Sequence, residues 1–123
     1  MVGYNPLREK SYTFALHIID AYEFLIARKE FVLGKQLLKS VTSIGANVEE
    51  ALQGQSKKDF ISKLSISLKE AQEAHYWIRL LRDKNKLDGK AALDLLKEAE
   101  ELCKLLTSII KTSKRTLTRK ATV

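Results

Sequence analysis

Little in this chain can interrupt a helix, and little in it can build anything else. It holds one proline, at position 6, and five glycines in 123 residues. That is too little punctuation for a many-stranded fold. A single cysteine, Cys103, excludes an internal disulfide. No window approaches the roughly 18 consecutive apolar residues of a membrane span. Met1 to Pro6 carries no charged stretch followed by an apolar run, so no signal peptide is expected. The composition reads as a soluble cytoplasmic protein of one domain, long enough to bury a core without disulfides or metals.

The usual signatures of chemistry are missing too. There is no Cys-x-x-Cys, no His-Glu-x-x-His and no glycine-rich phosphate loop. A di-metal bundle site needs Glu-x-x-His on two helices. Here Glu70 and Glu73 are followed three positions on by Glu73 and Tyr76. Asp20 and Ala21 follow His17 at helical spacing, which is not the Glu-x-x-His order of such a site, and His75 sits on an apolar stripe, as a core or interface histidine would. Cys103 lies beside Leu102 and reads as a small buried hydrophobe. Neighbouring Glu49-Glu50 and Glu100-Glu101 diverge by about 100° on a helix and cannot act as a carboxylate pair. The reading is a non-enzyme with no cofactor, no metal and no catalytic residue.

What is present is helix. Leu, Ala, Lys and Glu dominate. Asn5 before Pro6 makes an N-cap with proline at N1, and Leu7, Phe14, Ile18, Tyr22 and Leu25 form an apolar face running to about Lys29. A link at Glu30 to Gly34 precedes a second helix from about Leu33 to Gln53, with core positions Leu37, Val41, Ile44, Val48 and Ala51. Gly54 suits a left-handed residue after its end. Ser56 with Asp59 three residues later opens a third helix, a variant capping box. Its stripe is Phe60, Leu64, Ser67/Leu68, Ala71, His75, Ile78 and Leu81, and it stops near Asp83 to Lys86. A fourth helix is capped by Asp88 and runs to about Lys114 on Ala92, Leu95/Leu96, Ala99, Leu102, Leu106, Ile109 and Ile110. Short links force neighbouring helices to run antiparallel. The expected fold is all-α, an antiparallel up-down-up-down four-helix bundle over residues 1–114, followed by a basic, frayed tail at 115–123.

Two features exceed what a plain bundle needs. Phe24, Phe31, Ile66, Trp77, Leu80 and Leu105 lie outside a single core stripe, which suggests self-association. The second helix also carries a polar stripe, Gln36, Ser40, Ser43, Asn47 and Glu50, offset by one position from its core stripe. These are not the Lys and Glu of an ordinary solvated face. They suit hydrogen bonding inside the fold, against Glu70 and Glu73 of the third helix, or across a subunit interface. The favoured role is to fix helix packing or subunit register.

Charge is distributed unevenly. Lys111, Lys114, Arg115, Arg119 and Lys120 fall in the last 13 residues, with no acid among them, out of a net charge of +7. Such a segment, with Lys57 and Lys58, offers a footprint for phosphate backbones.

Leu33-x-x-Gln36, Ser40, Ser43-Ile44-x-x-Asn47-Val48-x-Glu50, Asp59-Phe60 and Glu73 together resemble the four-helix-bundle proteins related to those encoded within 23S rRNA intervening sequences, sometimes called S23 ribosomal proteins. The resemblance spans about residues 6 to 110. The chain departs from it at Lys69-Glu70, where members often carry Ser or Gly-Ser. The resemblance implies an all-α bundle without catalytic activity that assembles as a ring-like homopentamer. A more distant group, the accessory proteins of diversity-generating retroelements, forms a basic pentameric barrel that binds a reverse transcriptase and nucleic acid. The functional expectation is a non-catalytic oligomeric bundle binding RNA or DNA weakly through Lys57, Lys58 and the basic tail. The alternative is a protein–protein adaptor, docking through a surface that includes Trp77, with no nucleic-acid role.

Overall fold

The computed structural model describes residues 4–54 and 56–122. Among them are four helices and no strand: α1 (Pro6–Ala27), α2 (Phe31–Leu52), α3 (Lys57–Asp83) and α4 (Gly89–Thr122). Each helix packs against its neighbours in the chain, and α4 returns to α1; among the described residues the diagonal pairs bring no Cα atoms within 8 Å of each other. The α1–α4 seam is the sparsest of the four.

Helix starts follow the local chemistry. Asn5 Oδ1 accepts the Arg8 N–H at 3.1 Å, and Pro6 occupies the first turn, where its missing N–H costs nothing. Ser56 Oγ accepts the Asp59 N–H at 3.1 Å. Asp88 Oδ2 accepts from Lys90 and Ala91 at 3.2 and 3.3 Å. Only α2 begins without such help. Its cap, Glu30, makes no side-chain hydrogen bond to the helix, and its carboxylate pairs with Lys86 instead. The link before α2 is shorter than the sequence predicts, because Phe31 to Gly34 is already helical.

Helix ends depart from expectation in an informative way. No described glycine has positive φ; Lys29 and Asn85 do, at 63° and 60°. Each closes a paired hydrogen-bond motif. Glu30 N–H reaches Leu25 O at 2.9 Å and Lys29 N–H reaches Ile26 O at 3.0 Å. Lys86 and Asn85 repeat this on Leu81 and Arg82, at 2.8 and 3.0 Å. Gly54 is therefore not the left-handed residue it resembles. It serves a close approach: a Cβ there would lie 3.0 Å from both Ala51 O and an Asp59 carboxylate oxygen.

The core matches the sequence stripes closely. All five α2 core positions are buried, as are Leu7, Phe14, Ile18 and Leu25 on α1. Ala74 and Leu87 join the core unanticipated, and Phe60, His75 and Ile109 are only half-buried. Helix α4 passes the end expected near Lys114 and continues to Thr122. Ser113 is buried and Thr116 and Leu117 are half-buried, so these turns are covered by the bundle. Burial of that face holds together a segment whose Thr- and Lys-rich composition reads as a frayed end.

Candidate nucleic-acid interface and the polar face of the second helix

The polar residues of α2 do not form one network. Ser40 is buried, and its Oγ accepts from the Trp77 indole at 3.3 Å. Asn47 turns back along its own helix: its Nδ2 donates to Ser43 O at 2.9 Å and to Ser43 Oγ at 3.3 Å. Glu50 is exposed and pairs with Lys63 of α3 at 3.1 Å, which raises the lysine's pKa through the hydrogen bond and the charge. Gln36 is exposed, and neither it nor the half-buried Glu70 and Glu73 makes a hydrogen bond or ion pair among the described residues. The Ser43/Asn47-to-Glu70/Glu73 network is thus absent. Besides Ser40–Trp77 and Glu50–Lys63, α2 and α3 are tied by Ser67, fully buried, whose Oγ donates to Ile44 O at 2.9 Å. A serine within an apolar stripe was the available signal, and a small residue there lets two backbones approach.

Trp77 is not displayed as a docking anchor. It is half-buried, packs on the core and meets Tyr76 edge-on at 5.3 Å between ring centres. The two histidines bridge helices: His17 Nδ1 lies 2.9 Å from Glu98, linking α1 to α4, and His75 Nε2 lies 2.9 Å from Glu100, linking α3 to α4. Cys103 is half-buried, and burial, with the Glu100 charge beside it, pushes its thiol pKa up. No cluster of three or more His, Cys, Asp or Glu that could hold a metal occurs among the described residues. No described helix is long and apolar enough to cross a membrane.

The basic candidates lie on two elements. Lys57 and Lys58 open α3 and are exposed, with the Lys57 ammonium 5.8 Å from the Phe60 ring centre. Lys111, Lys114, Arg115 and Arg119 are exposed on the last turns of α4. Lys57, Lys58, Lys111, Lys114 and Arg115 form no ion pair with an acid among the described residues. The Lys120 side chain lies outside the described residues.

Residues 5–108 match the family described as 23S rRNA-intervening sequence protein. The chain belongs to that family. Among solved structures, it is similar to a protein of unknown function from the S23 ribosomal protein family of Bacteroides thetaiotaomicron. The two are 47% identical, with a TM-score of 0.84 over 85% of this chain and 98% of the other. No curated protein matches. The family assignment and the four-helix fold therefore agree with the resemblance carried by the α2 stripe, and nothing in either relative's description points to catalysis.

Proposed function

We propose that this chain is a non-catalytic, self-associating bundle that binds RNA or DNA through sequence-tolerant phosphate contacts. In this reading the four helices run antiparallel, up-down-up-down. Arg8 near the start of α1 pairs with Glu49 near the end of α2, and along the α1–α4 seam Lys10 pairs with Glu101 while the later His17 pairs with the earlier Glu98. Glu50 pairs with Lys63 across α2 and α3, and His75 with Glu100 across α3 and α4. Counting 18 residues back from His75 reaches Lys57, and 18 forward from Glu100 reaches Thr118. Both steps cover about 27 Å of helix. The start of α3 and the last turns of α4 then share one end of the bundle.

That convergence carries the proposal. Five exposed cations without acidic partners are brought to one end of a fold whose remaining body is nearly neutral. Asp59 shares the first turn of α3 with Lys57 and Lys58, but none of the five cations is tied up in an ion pair among the described residues, and phosphate contacts of this kind give salt-sensitive affinity. The protein would act in the cytoplasm as a homo-oligomer, and five copies are the number the family resemblance favours.

The test is fluorescence anisotropy with labelled single- and double-stranded RNA and DNA over a salt series. Five neutralised phosphates predict a log–log slope of about −4.5 on duplex and about −3.5 on single strands. Replacing Lys111, Lys114 and Arg115 together with Gln should reduce the slope by about 2 to 3. No binding at about 50 mM salt, or binding indifferent to these replacements, would overturn the proposal.

A further inference from the structure

The sparse seam between α1 and α4 opens as a groove of about 430 Å³. Its floor is apolar, from Phe24, Ala91 and Leu95, and its lining includes no lysine or arginine, although the Arg28 guanidinium lies over the Phe24 ring at the groove's edge, 3.6 Å from the ring centre. Four carboxylates border it, in a chain of net charge +7. Two are committed: Asp88 caps α4 and Glu98 holds His17. The other two, Asp20 and Asp94, are exposed and make no hydrogen bond or ion pair among the described residues.

Elsewhere on the same surface lies a patch of opposite character. Phe31 and Val32, the first residues of α2, are 57% and 75% exposed. Lys35 and Lys39 follow at helical spacing on the same outward face, with Lys29 just before the helix. None of the three lysines has an acidic partner among the described residues. An aromatic and a branched side chain displayed together beside cations lack a covering within the chain, and exposed apolar groups so grouped mark contact surfaces. The groove supplies the complement: an apolar floor for Phe31 and Val32, and free carboxylates for the lysines.

We propose that the α1–α4 groove seats the start of α2 from a second copy of the chain. The proposal deepens the self-association read above by assigning its surface, and it does not involve the basic end formed by α3 and α4. The pairing is between unlike patches, so it can close reciprocally in a dimer or run head-to-tail around a ring. Charge of one sign in the groove and the other on the knob selects the register and disfavours groove-to-groove contact.

Two charge reversals test it by sedimentation velocity at micromolar protein: Asp20→Lys with Asp94→Lys in the groove, and Lys35→Glu with Lys39→Glu on α2. The wild type is expected to sediment at a multiple of 14.0 kDa. Each double variant should raise the dissociation constant on the order of tenfold or more. Mixing the two should restore association between unlike variants, because the reversed groove now meets a reversed knob and the two unaltered patches meet each other; such contacts alternate, so they give even-numbered assemblies or open chains and not a closed ring of five. Phe31→Ser, at an exposed site, weakens assembly without altering charge, and circular dichroism checks that each variant remains helical. A multimer whose mass ignores all three changes, or variants that stay dissociated when mixed, would overturn the groove while leaving self-association standing. A wild type that stays monomeric would remove both.

Discussion

Replacing Lys29 with glycine should make the protein more stable, although it deletes a whole side chain. Lys29 sits at φ 63° and closes α1. In that conformation Cβ crowds the adjoining backbone, at a cost of roughly 1–2 kcal/mol for an L-residue. Glycine removes the clash but gives the unfolded chain more freedom, which offsets about 0.5–1 kcal/mol. The lysine makes no ion pair among the described residues, so little else is lost. The net gain is about 0.5–1 kcal/mol. At about 2.1 cal/mol/K per residue, the unfolding entropy of a chain this size converts that gain into a melting temperature about 2–4 °C higher. Asn85→Gly, at φ 60°, should gain less, because asparagine tolerates this region better. Lys84→Gly, one residue earlier at φ −92°, should gain nothing. Thermal melts followed at 222 nm, at one fixed protein concentration because assembly shifts the midpoint, would decide. If Lys29→Gly melts below wild type, or no better than Lys84→Gly, the strain argument is wrong.

Other consequences follow from the same geometry. Gly54→Ala should destabilise by about 1 kcal/mol or more, since the new methyl meets the Ala51 carbonyl at 3.0 Å. Gly45→Ala should do the opposite, because nothing lies within 4 Å of a Cβ there and alanine gains up to about 1 kcal/mol in a helix; denaturant titration of both measures the contrast. Leu64→Ala, at a fully buried position, should cost about 2–5 kcal/mol in the same titration. The Cys103 thiol, pushed up by burial and by the Glu100 charge, should react with a disulfide reagent at pH 8 markedly more slowly in the native protein than in denaturant, and Glu100→Gln should speed the native reaction. Asn47→Leu should change stability or assembly before nucleic-acid affinity, since its hydrogen bonds go to Ser43 and not to any basic candidate; the reverse order in paired melting and anisotropy measurements would reassign it.

Periodicity carried much of the fold into the sequence. The core stripe of α2, the caps at Asn5, Ser56 and Asp88, and the stops near Lys29 and Asp83 depend on residues within a turn or two of each other. Such signals can be read along the chain. The polar stripe was legible as unusual, and its family was legible in its spacing. Its wiring was not. Whether Asn47 reaches Glu73 or turns back to Ser43 depends on how two helices are rotated against each other.

Capping and 3.6-residue periodicity act over short distances, so the four amphipathic helices, the starts of α1, α3 and α4 and the face each helix buries could be read along the chain, whereas α2, with no side-chain cap, starts earlier than its pattern suggests. Packing settled that Ser67, Ser40 and Glu50, and not Asn47, make polar contacts between α2 and α3, that Lys29 and Asn85 rather than Gly54 take the left-handed turns, and that α4 persists to Thr122. Each of those outcomes depends on what another part of the chain presses against, and that contact exists only once the helices have packed.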